Sequence, residues 1–569
     1  MNLPISTLVT SLFQTLLDRI QLDYVNGDPP AHKLKSFSVD LELAAEARAA
    51  LDQEIKMIQL TINAFKNHTD RLLSATRHRR NQHAPIHCLP PELISSIFEL
   101  AVPGALGHTS GDEVPLNVVR VSRDWRQIAM DSPRAWAHIP MVPEPLLSTF
   151  LERSKNVPLE LTFYRTTREA TLHHMARISP SHLERTRALK LDLVGMEKQI
   201  HKVESWLSTP LPALETLEIR RPVPRGGMDL TADTPRLQHL SLKGSLMPFD
   251  HPIYSNLATL TLSHIVFIET PSTVGLLRAL EASPSFEELN LQYMELTVTV
   301  DREPELSTGM PVNLPHLRLL SIKDVPAPIT RFFLNHIITP ASSRIVMEAD
   351  GGDIASIFPS RPENLRNIVT TTELSVTAKD DGTTLEVEGH SSESGGSFSL
   401  KFTRRSGLAH AMFKNLAKVV AMPHLRTLSA RHFSGNKKGP SSFARALGNF
   451  PSITTLKFEV CHATLADSIM ASRAKNQHVC PLLQHLFLFG CSIKEEALLM
   501  LVRSRSFNSD DGPSATSRPL ERLDLDCCRE LTEEVVPKLL EYLKVVHWGA
   551  RRFEQEKIEA TGADVSRSA

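Results

Sequence analysis

Ile5, Leu8, Val9, Leu12, Phe13, Leu16, Leu17 and Ile20 fall on one face of a 3.6-residue period, which predicts an amphipathic helix within residues 1–30, closed by Gly27-Asp28-Pro29-Pro30. Thr7, Thr10, Ser11, Gln14, Asp18 and Arg19 interrupt it, so it does not reach the roughly 20 apolar residues of a membrane span. It has no basic polar face for a lipid surface, so packing on a neighbouring element is expected. From Asp40 to Arg80 there is neither Gly nor Pro. Leu51, Ile55, Ile58, Ile62, Phe65 and Leu72 recur there at steps of four and three, with Thr69 in the remaining position. That spacing predicts a heptad helix over 40–82, about three repeats long, which could dimerise the protein or dock on another part of the chain.

Over 84–140 the pattern shortens. Pro90 and Pro91 suit the first turn of a helix, and Leu93, Ile94, Ile97, Phe98 and Ala101 then form an apolar stripe. After a Gly-containing loop, Val118, Val121, Trp125 and Ile128 mark more helix, and Trp136 a third element. Helices this short cannot bury so many large side chains among themselves, so a neighbour or a partner is expected to cover some of them.

The ordered set Leu89-Pro90-x-Glu92, Ile97-Phe98, Val121-x-Arg123-x-Trp125-Arg126 and Trp136 resembles the F-box. The resemblance implies binding to a Skp-type adaptor, and through it to a cullin-RING ubiquitin ligase, with Leu89, Pro90, Leu93, Ile97, Phe98, Val121 and Trp125 carrying the contact. Ser122 stands where that family often has Cys, and the Pro103–Val114 loop is longer than in compact F-boxes. The order of segments is similar to fungal F-box proteins in which a long helix precedes Leu-Pro-Pro-Glu and a repeat domain follows.

Beyond Phe150 one phrase recurs: apolar, two variable residues, Leu, one variable residue, apolar. Its central leucines are Leu217, Leu240, Leu260, Leu289, Leu320, Leu428, Leu456, Leu486 and Leu523, with a weaker copy at Leu189. From Leu189 to Leu320 the steps are 28, 23, 20, 29 and 31 residues; from Leu428 to Leu523 they are 28, 30 and 37. The phrase and its period resemble leucine-rich repeats, which implies a horseshoe solenoid with a strand of each repeat on the concave side. Ile265, Met294, Val325, Cys461, Cys491 and Cys528 lie five positions past a central leucine, where that pattern turns the chain on a buried residue. Helical stretches Ser272–Ala282, Ile329–Ile338, Ser441–Asn449, Ile493–Arg505 and Thr532–Leu543 are expected on the convex side.

The 108 residues between Leu320 and Leu428 hold another kind of element. Leu365-Arg-Asn-Ile368 could open a further repeat, and Leu374/Val376, Leu385/Val387 and Phe398/Leu400/Phe402 then alternate with period two between glycine-bearing turns. The expected organisation is thus a helix over 1–30, the heptad helix over 40–82, an all-α F-box-like unit over 84–140, repeats over 150–345, a β-rich insert over 346–405, repeats over 406–548 and a tail over 549–569. Ser506–Ser517 and that tail have loop composition.

Charge narrows the function. Lys+Arg 63 against Asp+Glu 64 leaves a formal net charge of -1, which disfavours bulk binding to nucleic acid or an anionic membrane. Six cysteines without a Cys-x-x-Cys pair suit a reducing, cytoplasmic or nuclear compartment. There is no His-Glu-x-x-His, Gly-x-Ser-x-Gly, P-loop or Gly-x-Gly-x-x-Gly, so neither catalysis nor a cofactor or metal is expected, and His173-His174 reads as an exposed helix face. Asp524 and Asp526, and Phe487 and Phe489 one repeat earlier, occupy the outward positions of their strands and form the candidate surface for a protein substrate. The expectation is a non-catalytic substrate receptor. The alternative is a leucine-rich scaffold whose F-box-like helices only cap the repeats.

Overall fold

The structure is a computed structural model that describes residues 41–101, 114–163, 168–196, 200–221, 233–245, 247–266, 273–295, 311–350, 354–359, 362–379, 383–403, 415–416, 422–433, 439–469, 479–506 and 518–555, with the helical residues Gln14 and Asp18. The rest of the expected 1–30 helix, the Pro103–Val114 loop but for its last residue, and Ser506–Ser517 beyond its first lie outside the described residues. Contacts divide the chain into two units, Met1–Pro90 and Pro91–Ala569.

In the first unit, helix α1 (Leu41–Gln82) runs 42 residues without a break, as the absence of Gly and Pro allows. A 3-10 turn, Pro85–Cys88, follows it. Leu51, Ile55, Ile58, Ile62 and Leu72 of the heptad seam are each 52 to 59% exposed.

The second unit opens with α2 (Pro91–Ala101), α3 (Val114–Val121) and α4 (Arg123–Met130), which pack on one another and on the 3-10 turn Pro133–Trp136. An 18-stranded, mostly parallel sheet follows. Its first strands are β1 (His138–Ile139), β2 (Leu159–Phe163), β3 (Thr186–Asp192), β4 (Thr216–Arg220), β5 (His239–Lys243), β6 (Thr259–Val266) and β7 (Glu288–Glu295). The chain continues through β8 (Val312–Asn313), β9 (Leu319–Lys323), β10 (Ile337–Ile338) and β11 (Arg344–Asp350), of which β8 and β10 form a separate parallel pair. The next strands are β12 (Glu373–Lys379), β13 (Thr384–His390), β14 (Ser397–Thr403), β15 (Thr427–Arg431) and β16 (Thr455–Glu459). The last four are β17 (His485–Phe489), β18 (Arg522–Asp526), β19 (Val545–Trp548) and β20 (Arg551–Glu554).

The recurring phrase fixes the register. Leu189 pairs with Leu217, Leu217 with Leu240, and so on through Leu260, Leu289 and Leu320; Leu428, Leu456, Leu486 and Leu523 form a second row. Each central leucine and the apolar residue two further on are buried; the residues between them lie on the other face of the sheet, as the pleat dictates, where Lys190, Ser321 and Ser429 are buried and the others half-buried. Helices Thr273–Glu281, Ala327–Asn335, Gly439–Leu447, Glu495–Ser504 and Val535–Leu540 fall within the expected connections, give or take two residues at their ends.

Three features depart from the sequence reading. The parallel sheet begins two strands before Leu189, with β1 and β2, where Leu161 stands opposite Leu189. The strand β11 lies largely inside the expected bounds of the insert yet is an ordinary parallel strand, with Ile345 opposite Leu320; Leu365-Arg-Asn-Ile368 is instead a short helical turn. Finally, Arg551–Glu554, expected in the tail, is a strand antiparallel to β19. Its charged composition hid it, and the same charges suit an edge strand, which they protect from pairing with other chains.

The insert lies in the sheet itself. Leu374 of β12 pairs in parallel with Leu428 of β15, as a member of the leucine row would. From β12 the chain doubles back through β13 and β14, both antiparallel steps, and β14 ends parallel to β11. The hairpin β13–β14 is therefore wedged between two strands, β11 and β12, that would otherwise be neighbours.

At the carboxyl ends of the strands the chain turns on a left-handed residue four past the central leucine: Gly244, His264, Tyr293, Asp324, His432, Val460, Gly490 and Cys527 all have φ between 49° and 68°. The amide of this residue extends the ladder by one bond, from Val460 N to Phe489 O (2.7 Å) and from Gly490 N to Asp526 O (2.8 Å). The next residue then turns inward. At Cys461, Cys491 and Cys528 the thiol donates to the carbonyl of Ala430, Phe458 and Leu488 on the preceding strand, at 3.2, 3.4 and 3.5 Å.

Candidate functional site

Helix α2 carries two apolar stripes. Ile94 and Phe98 face the helical unit and are 3 and 1% exposed, whereas Leu93, Ile97 and Leu100 are 51, 39 and 86% exposed. The latter three are spaced four and three residues apart and so share one side of the helix. Val121 of α3 is exposed as well. Of the residues expected to contact an adaptor, Leu93, Ile97 and Val121 are outward, Trp125 is half-buried, and Phe98 is in the core. Leu89 is half-buried and Pro90 exposed, both in the first unit. Leu100 was missed by the sequence reading, although its three-residue step from Ile97 places it on the same stripe.

The core beneath this stripe is aromatic. The Phe98 and Trp125 rings lie 5.1 Å apart, and Trp136, fully buried, donates from its indole nitrogen to Ala129 O at 2.7 Å. Ser122 caps α4, its hydroxyl accepting from Trp125 N at 3.1 Å, and this use explains a serine at that position. Arg126 Nε donates to Val119 O at 2.9 Å and ties α4 to the end of α3. Trp136 packs edge-on against Phe150 at 5.2 Å, and β1 follows two residues later, so the helical unit is anchored to the first edge of the sheet.

The open face of the sheet changes character along its length. Its middle row from β5 to β9 reads Ser241, Thr261, Asn290 and Ser321, a floor of small polar groups. Toward the end, Lys457, Phe487, Asp524 and His547 occupy the same row. The Phe487 ring has Lys457 Nζ 5.3 Å from its centroid on one strand and the Arg522 guanidinium at 5.5 Å on the next. Asp524 accepts two hydrogen bonds from Arg522, each 2.8 Å, and stands 3.0 Å from His547 Nδ1. The Asp524 carboxylate holds the Arg522 guanidinium above its ordinary pKa. Phe489 and Asp526 lie opposite each other and are exposed. All four expected surface residues thus share the open face, but Asp524 is engaged within the protein and the half-buried Phe487 ring lies between two cations, leaving Phe489 and Asp526 exposed.

Beyond this end, Asp526, Cys527, Arg529, Trp548 and Gly549 line a cleft at the carboxyl ends of the last strands. Farther along that rim, the His264 and Tyr293 rings meet at 4.7 Å, tilted 45° to one another, and the Tyr293 hydroxyl is held above its usual pKa by its hydrogen bond to Asp324. The sequence offered no signal for either, because both sit at the left-handed turn rather than in the phrase.

His173 and His174 part company: His173 is exposed, but His174 is buried and bonds through its ring to Val142 O. Burial pushes the thiols up to about 11 at Cys461 and to about 12 at Cys480 and Cys491. Among the described residues no group of three His, Cys, Asp or Glu side chains is placed to hold a metal, and no helix is long and apolar enough to cross a membrane.

No family model matches the chain, and no curated protein matches its sequence.

Proposed function

We propose that the protein is a non-catalytic substrate receptor: an F-box-like helical unit binds a Skp-type adaptor of a cullin-RING ubiquitin ligase, and a leucine-rich-repeat solenoid offers its open face to a protein substrate. The observation that carries this reading is the stripe Leu93, Ile97 and Leu100, exposed on a helix whose other apolar stripe, Ile94 and Phe98, is already buried. Apolar side chains at that spacing and exposure are the mark of a helix that packs against a partner. The rows of paired leucines, the recurring left-handed turn and the buried residue after it support the repeat reading of the sheet. In this role the chain does no chemistry. Holding adaptor and substrate on one body raises the effective concentration of substrate lysines near the conjugating enzyme.

The packing of Trp136 on Phe150 favours the second reading, in which the helices cap the sheet. Capping through Trp136 and adaptor binding through the stripe use different residues, so the test must address the stripe alone. Purified full chain should retain a Skp-type adaptor on a column, and Leu93→Glu with Ile97→Glu should abolish retention while thermal unfolding stays unchanged. Retention that survives both changes leaves the helices as a cap only.

A further inference from the structure

Helix α1 is a 42-residue rod, about 63 Å long at 1.5 Å per residue. Leu51, Ile55, Ile58, Ile62 and Leu72 line one side of it in the four-three spacing of a coiled-coil seam, each more than half exposed. Its charges are unevenly distributed. Residues 41–61 hold Glu42, Glu46, Asp52 and Glu54 against Arg48 and Lys56, a net of -2; residues 62–82 hold Lys66, Arg71, Arg77, Arg79 and Arg80 against Asp70, a net of +4.

From the seam and this asymmetry we infer that α1 pairs with α1 of a second copy of the chain, the two helices running antiparallel. A parallel pair would set the two basic halves side by side; an antiparallel pair sets each against the acidic half of the other. The seam also has a symmetric register. With Ile58 packed on Ile62 of the other copy, Ile55 meets Phe65 and Leu51 meets Thr69, giving six layers of large against large or medium side chains. In that register Asp52 and Lys66, both exposed and flanking the seam, fall opposite one another twice, once on each side of the dyad. Sliding by one heptad would set Asp52 opposite Leu73 and lose both pairs. Charges flanking a seam set register and orientation, so this arrangement is selected over its alternatives. The inference is independent of the adaptor reading, since it uses no residue after Gln82.

Sedimentation equilibrium of the full chain at micromolar concentration tests it. A dimer, twice the 63.4 kDa of one chain, is expected, and Ile55→Asp with Ile62→Asp should yield monomer with the near-ultraviolet spectrum of the sheet unit unchanged. A charge exchange reads the orientation. Lys66→Glu places like charges together twice and should weaken the dimer by roughly tenfold, and adding Asp52→Lys in the same chain should restore it. A monomeric wild-type chain, as when residues 1–30 cover the seam instead, overturns the inference. So does a dimer that is indifferent to Lys66→Glu, or one that Asp52→Lys fails to rescue.

Discussion

The Phe98 and Trp125 rings meet at 5.1 Å, tilted 56° to one another, on a helix whose second apolar stripe carries Leu93, Ile97 and Leu100 into solvent. The two sets of residues are interleaved in sequence but do different work, and mutation should separate them. Trp125→Ala removes the ring that supports Phe98 and should cost about 3 kcal/mol. Leu93→Glu and Ile97→Glu alter exposed positions with a good helix former and should change stability by less than about 1 kcal/mol. Denaturant unfolding beside adaptor retention gives both quantities. Loss of retention in Trp125→Ala alone would report unfolding of the helical unit and not a contact.

Gly389 stands directly opposite Phe398 across β13 and β14, and a Cβ there would lie 2.0 Å from the ring. The aromatic ring covers the glycine and fills the space its missing side chain leaves. Gly389→Ala should therefore destabilise the sheet unit by about 2 kcal/mol through overpacking. The same change in a Phe398→Leu background should cost less, a coupling that a double-mutant cycle measures directly. Additive effects would mean that the ring does not hold the wedged hairpin in place.

Much of this fold was legible because central leucines must pair in register for their side chains to share one buried row. The alternation of Leu374/Val376, Leu385/Val387 and Phe398/Leu400/Phe402 gave the three strands of the insert, but period two assigns faces and not neighbours. Nothing local says that β14 returns to β11. Ile345 and Leu161 escaped because Arg344-Ile-Val-Met and Leu159-Glu-Leu-Thr lack the full phrase, although both strands are buried by the same pleat. On the open face, outward positions followed from the phrase. The engagement of Asp524 followed only in part: Arg522, two residues back on the same strand, shares its face by the pleat, but His547 reaches it from the next strand over a connection of unpredictable length.

The buried cysteines make a chemical prediction. Cys461, Cys480, Cys491 and Cys528 are buried, with thiols pushed up by desolvation, whereas Cys88 and Cys527 are exposed. Only thiolate attacks an alkylating reagent, so at pH 8 the four buried thiols should remain unmodified in the native protein. Of the exposed pair, Cys527 should react more slowly, since the neighbouring Asp526 carboxylate raises its pKa. Peptide mass spectrometry after timed iodoacetamide treatment reads this order. Early modification of Cys461 or Cys491 would contradict the thiol-to-carbonyl ladder.

Arg505 is 5% exposed, and among the described residues all its side-chain hydrogen bonds go to backbone carbonyls: Ile469 O from Nε and Nη2 (3.1 and 2.8 Å), Cys480 O from Nη1 (3.2 Å), and Val479 O from Nη2. Burial draws the guanidinium down to about 10, which still leaves it charged at neutral pH. The planar fork fits these carbonyls from both sides of the 470–478 segment, and it holds the two ends together at the cost of a buried charge. Replacing it with Met keeps the volume but takes the side-chain donors from the Ile469 and Val479 carbonyls, while Cys480 O keeps Leu483 N (3.2 Å), so Arg505→Met should destabilise the sheet unit by about 3 kcal/mol. Arg505→Lys keeps the charge without the fork and should recover less than half of that loss. Urea unfolding of the three proteins decides the point: a Met variant as stable as wild type would mean that water satisfies the carbonyls and that the arginine is a passenger.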